Sequence, residues 1–198
     1  MKRLMVVFSM ILCVIEVSAV KKFDFKMCEL SRQVIIGDNN DMLISIIGES
    51  AFAIYILVEK DKIPQFRKAF KEANNKYKEW IVVAQQNNVT DLSKEMSLVN
   101  KFPSVKIVYR FYDADYFTLE YNLVPSVLFT VDKKRLYFIR NKEVESQRIN
   151  EYNIIESRTE TTLFSFESVS ESNELQRILF EELDKIEKEN KRLNELFK

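Results

Sequence analysis

The chain has 198 residues, 46% of them hydrophobic, and its 30 basic residues balance its 30 acidic residues. This neutrality argues against nucleic-acid binding, which usually requires a basic excess, and against adhesion to anionic membranes. The sequence holds no histidine and two glycines. Histidine-based catalysis, histidine metal sites and common glycine-rich phosphate loops are therefore excluded, and we predict one domain without cofactor or metal.

The first segment of the chain has the pattern of a secretory signal peptide. Two basic residues precede an apolar run from Leu4 to Ile15, which is shorter than the roughly 20 residues that span a bilayer. Small residues follow and end at Ala19, as at a signal-peptidase site. We predict a signal peptide over 1–19 and an exported domain over 20–198, periplasmic or extracellular, with no stable membrane insertion after cleavage. The alternative is that residues 1–19 form the first strand or helix of the fold.

Cleavage after Ala19 would leave Cys28 as the remaining cysteine, so the mature chain would form no internal disulfide. A reactive thiol needs a base or a positive field to lower its pKa. Its sequence neighbours are Lys26 and Glu29, which offer mixed charge. We predict a buried or incidental thiol, and pairing with another chain is the alternative.

Residues 29–59 predict three short strands. Apolar and polar residues alternate from Leu30 to Ile36, which is the period of a half-buried strand. The Gly, Asp and Asn residues from Gly37 to Asp41 predict a hairpin turn. Their order does not match the spacing of a calcium loop.

Residues 61–88 predict the first long helix. Apolar residues recur at steps of three and four from Ile63 to Ala84, so one face is apolar. Pro64 falls in the first turn, where its missing N–H costs no hydrogen bond. The following Asn88-Val89-Thr90 is a glycosylation sequon, relevant in a eukaryotic secretory pathway.

Residues 104–121 predict an aromatic-rich hairpin. With Asp113-Ala114-Asp115 as the loop, Tyr109 pairs with Leu119 and Ile107 with Tyr121 on an apolar face. This is the pairing that a core face requires.

Residues 125–141 predict a second hairpin with its turn at Lys133 and Lys134. Here the expected register pairs Phe129 with Phe138 inside. Thr130 then pairs with Tyr137 outside.

The opposite face of these two hairpins is our candidate binding surface. Tyrosine and arginine give large contact areas with polar tips, as at protein interfaces and sugar platforms. The alternative is an ordinary half-solvated sheet face, where β propensity alone enriches aromatics. The predicted platform consists of Arg110, Tyr112, Tyr116, Thr118, Glu120, Thr130, Arg135 and Tyr137.

A second hypothesis is a carboxylate-dependent hydrolase of the glycosidase kind. Asp113 and Asp115 lie in the predicted turn, and Glu120 lies across the hairpin, so they could supply an acid and a base. Acids in turns are more commonly turn residues.

The C-terminal segment predicts a charged amphipathic helix with Ser170 or Ser172 as its N-cap. Its apolar residues follow alternating steps of four and three: Leu179, Leu183, Ile186, Leu193 and Phe197, with Asn190 in the same row. Such a row could pair two copies of the chain. We instead favour a helix docked on its own sheet, because Glu182 and Glu187 would face each other in a parallel dimer. A structural subunit that pairs through this helix is the third hypothesis.

These elements predict an α+β fold, with an antiparallel β-meander sheet and two long amphipathic helices on one face. A strand at residues 161–166 precedes the last helix, so the order also suggests two halves, each of strands followed by a helix. The block KIPQFRKAFKEANNKYKEW, with NNVTDLSKEM and KFPSV, resembles small exported bacterial proteins of unassigned function over residues 51–131. The resemblance implies a bacterial source, export and an α+β fold. We predict an exported, non-catalytic binding module whose partner is a protein or a glycan.

Overall fold

A computed structural model of the chain provides the coordinates. The structure describes residues 20–37, 39–48, 52–111, 117–131, 137–140 and 162–196.

The described residues form ten strands and two long helical segments. The strands are β1 (Lys21–Met27), β2 (Leu30–Ile36), β3 (Met42–Gly48), β4 (Phe52–Val58), β5 (Ser93–Met96), β6 (Val105–Phe111), β7 (Phe117–Leu123), β8 (Ser126–Thr130), β9 (Tyr137–Arg140) and β10 (Thr162–Phe166). A 3-10 turn (Lys60–Lys62) leads into α1 (Ile63–Gln86), while α2 (Val169–Arg177) and α3 (Leu183–Leu196) are joined by a π-helical turn (Ile178–Glu182). A six-stranded sheet has the order β1-β2-β3-β4-β6-β7, and a four-stranded sheet has the order β10-β9-β8-β5.

The predicted fold class is confirmed, because antiparallel sheets pack with two long amphipathic helices in one core. The single sheet we expected is instead two sheets. The first sheet contains the four strands before α1 and is extended by β6 and β7, because β4 pairs with β6. β5 pairs instead with β8 and belongs to the second sheet. Hydrophobic alternation identifies strands but does not determine which strands pair, so the division was not visible in the sequence.

The helix α1 forms where its apolar periodicity predicts and carries Pro64 in its first turn. Its inner face is buried at Ile63, Phe66, Ala69, Phe70, Ala73, Asn74, Tyr77 and Ala84. The helix ends in a Schellman motif: the Val89 amide donates to the Ala84 carbonyl (2.9 Å) and the Asn88 amide to the Gln85 carbonyl (3.3 Å). Asn88 has the left-handed backbone (φ 50°) that this motif requires.

Aromatic side chains of α1 contact the four-stranded sheet. The ring of Phe70 lies 6.0 Å from that of Phe166 in β10. Tyr77 and Trp80 both pack against Phe129 in β8, at 6.1 and 5.5 Å. These side chains share one cluster with the inner residues of the six-stranded sheet, so α1 joins the two sheets into one core.

The C-terminal helix is docked on its own domain. Leu179, Leu183 and Ile186 are buried in the common core, and Asn190 contacts Asn40 in the β2–β3 turn (3.4 Å). The predicted cap is wrong: Ser168 is the N-cap of α2, and its hydroxyl accepts from the Glu171 amide. The sequence has serines at 168, 170 and 172, each of which is a suitable N-cap residue. Because β10 ends at Phe166, the helix begins at Val169 and Ser168 takes the N-cap position.

Arg67 of α1 connects the two helices at the π-helical turn. Its guanidinium lies 4.7 Å from the ring centre of Phe180 and donates to the Phe180 carbonyl (3.4 Å). It also pairs with Asp184 at 2.5 Å. A π turn disturbs the regular carbonyl-to-amide pattern of a helix, and Arg67 supplies a donor to one of its carbonyls.

A buried polar network fixes the contact between α1 and α2. Asn74 and Ser172 are both fully buried. The Ser172 hydroxyl donates to Asn74 Oδ1 (2.7 Å), and Asn74 Nδ2 donates to Gln176 Oε1 (2.7 Å) and Asn173 Oδ1 (3.1 Å). Because each of these groups finds a partner, the network orients the two helices without leaving an unsatisfied polar group.

We predict that Asn74→Ala destabilises the fold by about 1–2 kcal/mol, because it removes the hydrogen bonds of Asn74 to Ser172 and Gln176 and leaves the buried Ser172 hydroxyl with the Val169 carbonyl (3.1 Å) as its acceptor. The exposed neighbour Asn75 gives the matched control, Asn75→Ala, with an expected change of about 0.5 kcal/mol or less. Urea unfolding of both variants measures the difference. Equal stabilities would contradict the assigned role of the network.

The turn between β1 and β2 is held by hydrogen bonds to α2. The β1–β2 turn consists of Cys28 (φ 51°) and Glu29 (φ 62°), which is the backbone of a type I′ turn without glycine. The Glu171 carboxylate accepts from the Glu29 amide (2.9 Å) and from the Glu167 amide (2.8 Å). Glu174 accepts from the Lys26 amide (2.8 Å). We did not predict β1, although Phe23, Phe25 and Met27 alternate with polar residues, because no Asn-Gly or Asp-Gly pair marks its turn.

The left-handed backbone at Glu29 predicts that Glu29→Gly stabilises the protein by about 1 kcal/mol, since glycine adopts this conformation without a Cβ clash. The matched variant Glu29→Ala keeps the clash and should not stabilise. Thermal unfolding compares the two, and a less stable Glu29→Gly variant would argue against a strained turn.

Both predicted hairpin registers need correction. Ile107 pairs with Leu119 and Tyr109 with Phe117, a shift of two residues that begins at an irregularity after Val105. An even shift keeps each residue on its predicted side.

In the second hairpin Phe129 pairs with Tyr137, so the predicted pairs Thr130–Tyr137 and Phe129–Phe138 are wrong by one residue. The ladder continues to the pair of Ser126 with Arg140. A register shift of one residue changes which side chains share a face of the sheet. Because this hairpin has apolar residues on both faces, its sequence pattern did not determine the register.

Candidate functional site

The face of the six-stranded sheet that points away from the helices is the candidate site. Along β3, β4 and β6, buried core residues alternate with residues of the opposite face. The strand registers arrange those opposite residues in two transverse rows. The first row is Ile35–Leu43–Leu57–Lys106, and the second is Ser45–Tyr55–Val108–Thr118. We call these two rows the outer face.

The centre of the outer face is apolar and well covered. Tyr55 is 8% exposed and Val108 is 4% exposed, yet neither belongs to the core cluster that contains the helices. Ser45 beside them is 7% exposed. Ile35, Leu43 and Leu57 are half-buried. A solvated sheet face usually carries polar residues at such central positions.

A sequence signal for this feature was present but not used. β4 reads FAIYILV and β3 reads MLISIIG, which are nearly continuous apolar runs. Such runs are typical of strands that are covered on both faces.

The predicted platform residues divide between the two sheets. Arg110 lies in β6, two residues beyond Val108, while Thr118 and Glu120 lie in β7. Thr118 pairs with Val108 and thus belongs to the outer face.

Thr130 and Tyr137 lie at strands β8 and β9 of the other sheet. Tyr112, Tyr116 and Arg135 lie outside the described residues, as do Asp113 and Asp115 of the hydrolase hypothesis.

A cluster of charges closes one end of the first row. Lys106 pairs with Glu59 at 2.9 Å, and Lys62 pairs with the other oxygen of the same carboxylate at 2.5 Å. The hydrogen bond from Lys62 and that from Lys106 lower the pKa of Glu59 to about 2. The row therefore ends in an ionised carboxylate held between two ammonium groups.

Cys28 lies apart from the outer face and is half-buried. Its sulfur lies 3.2 Å from the Ser165 hydroxyl oxygen. Burial raises the pKa of the Cys28 thiol. The hydrogen bond with Ser165 acts in the opposite direction, and the charges of Glu167 and Glu171 raise the pKa further. The thiol is protonated at neutral pH, which does not favour a nucleophile.

Comparison with protein-family models, with curated proteins and with solved structures gives no match. Across the described part of the chain, no helix has the length and apolar character that crossing a membrane requires. Nor do the described residues bring three or more cysteine or acidic side chains together as a metal site would require.

The lowered pKa of Glu59 predicts a pH-dependent contribution to stability. The contribution is complete above the pKa of an unfolded glutamate, about 4.3, and is lost as the pH falls towards the folded value of about 2. Glu59→Gln should therefore lower the melting temperature at pH 7 and match the original chain near pH 2. The exposed residue Glu79 provides the control, Glu79→Gln, which should change neither value. A Glu59→Gln deficit that persists at pH 2 would contradict the ion-pair origin.

Proposed function

We propose that this protein is an exported, non-catalytic binding module that contacts its partner through the outer face. The observation that carries the proposal is the row of half-buried apolar residues Ile35, Leu43 and Leu57 on that face, which lies beside the buried Tyr55 and Val108 and opposite to the helix-covered side. Apolar patches on protein surfaces are typical of sites for partners or ligands. The partner class is a protein or a glycan, because the platform residues predicted from the sequence include tyrosine and arginine.

The border of the outer face supports recognition of a partner with polar groups. Gln33 and Asp24 of β2 and β1 are joined by a 2.9 Å hydrogen bond beside the apolar rows. The ion pairs of Glu59 border the opposite side. An apolar centre with a polar border is the usual composition of an interface.

Several described carboxylates act as structural anchors. Burial opposes ionisation of Glu72, but hydrogen bonds from the amides of Asn100 and Val99 lower its pKa to about 2. Glu59 is lowered to a similar value. A glycosidase-type acid requires the reverse shift, a carboxyl with a raised pKa. Neither Glu59 nor Glu72 has that property, and Asp113 and Asp115 of the carboxylate-hydrolase alternative lie outside the described residues.

Export is part of the proposal and rests on the N-terminal sequence pattern and on the resemblance over residues 51–131. β1 begins at Lys21, so a chain cleaved after Ala19 would keep every described element. Lys21 at the start of β1 pairs with Glu189 of α3 at 2.5 Å, and the Lys26 amide near its end donates to Glu174 of α2.

A binding experiment with residues 20–198 tests the proposal. The immobilised domain is presented with a glycan array and with solubilised envelope proteins, and the affinity of each retained species is measured. We expect Ile35→Ser, and separately Tyr112→Ala with Tyr116→Ala, to weaken binding at least tenfold, since central interface residues contribute about 1–2 kcal/mol or more.

Two substitutions on the helical side serve as matched controls. Glu79→Ala and Glu181→Ala change exposed residues of α1 and of the π-helical turn, and they should leave binding unchanged. Circular dichroism verifies that all variants are folded. Retained binding in both the Ile35→Ser variant and the Tyr112→Ala/Tyr116→Ala variant would contradict the proposed binding surface.

A further inference from the structure

The sequon Asn88-Val89-Thr90 lies at the exposed C-terminal end of α1. Asn88 occupies the left-handed position of the Schellman motif, and Val89 packs against the core. Asn88 and Thr90 are both exposed. The two sequon side chains that a glycosyltransferase must reach are therefore at the surface, and the residue between them anchors the turn.

The structural role of Asn88 lies in its backbone. Its amide donates to the Gln85 carbonyl, whereas its side-chain amide makes no hydrogen bond within the part of the chain that the structure describes. A substituent on Nδ2 would thus displace no described contact. The neighbouring Asn87 differs, because its Nδ2 donates to the Val83 carbonyl at 2.8 Å.

Exposed apolar side chains flank the sequon on both sides. Val82 is 49% exposed, Val83 is 53% exposed and Leu92 is 40% exposed. Large exposed apolar residues promote association, and an asparagine-linked glycan is bulky and solubilising. A glycan on Asn88 would shield these exposed apolar side chains from association with other molecules.

We propose that Asn88 is an acceptor for asparagine-linked glycosylation during export, an inference that rests on the export part of the proposed function. The donor class is an oligosaccharide linked to a polyprenyl diphosphate. A bond forms between Asn88 Nδ2 and the anomeric carbon of the sugar, while the bond from that carbon to the diphosphate oxygen breaks. The amide nitrogen loses one proton, and the lipid diphosphate leaves. The inference takes the eukaryotic secretory pathway as the export route, since the sequon is read there, and does not use the bacterial source that the resemblance over residues 51–131 implies.

The test is translation of the full chain in the presence of vesicles from the endoplasmic reticulum, followed by intact mass measurement. We expect a product that has lost residues 1–19 and gained one glycan. Digestion with an amidase that releases asparagine-linked glycans should remove the added mass and leave aspartate at position 88.

Three variants separate acceptor chemistry from folding. Asn88→Gly removes the acceptor and suits the left-handed backbone, so it should lose the glycan completely while keeping the melting temperature of the unglycosylated domain. Thr90→Ala should also lose the glycan. Asn87→Gln, one residue outside the sequon, should keep it.

The outcomes distinguish the two proposals. A cleaved chain without added mass overturns glycosylation and leaves export intact. An uncleaved chain outside the vesicles contradicts export, and a version with a general cleavable leader in place of residues 1–19 then tests the acceptor alone. Addition of a glycan to that version supports the acceptor, and its absence overturns the proposal.

Discussion

The buried face of α1 is the constraint on which the rest of the structure depends. Phe70 and Tyr77 are fully buried and their rings contact both strands of the four-stranded sheet that approach the helix, at Phe166 and Phe129. The same cluster includes the inner residues of the six-stranded sheet. Full burial of an aromatic side chain contributes about 1.5–3 kcal/mol, so one helix supplies much of the free energy that joins two sheets.

This arrangement determines which surfaces remain for function. Because α1, α2 and α3 all contribute buried residues to one core, the outer face with the half-buried Ile35, Leu43 and Leu57 lies on the opposite side of the six-stranded sheet. The polar contacts of Glu171 and Glu174 join the first strand to α2, so both ends of the described chain are part of one cooperative unit. A rigid sheet backed by helices is a suitable support for a binding surface.

The sequence predicted the features that depend on strong local patterns, including α1 and the Gly37–Asp41 turn. In the C-terminal helix it predicted the buried Leu179, Leu183 and Ile186, whereas Leu193 of the same row is 42% exposed. It failed where the outcome depends on pairing between distant segments, as in the division into two sheets and the one-residue shift at Phe129. β1 was missed because the turn at Cys28 and Glu29 carries no glycine and is held by contacts from α2. The outer face was partly predicted, since Thr118 lies in it, but Tyr55 was overlooked among the apolar residues of its strand.

An exported domain that begins at Val20 is the central claim, and the intact mass of the protein from fractionated cells tests it most directly. The full chain is produced with its own leader, and the periplasm, medium and cytosol are analysed separately. A mass equal to residues 20–198 in the periplasm or the medium is the expected result. A full-length mass confined to the cytosol would contradict export and would make residues 1–19 part of the protein that folds there.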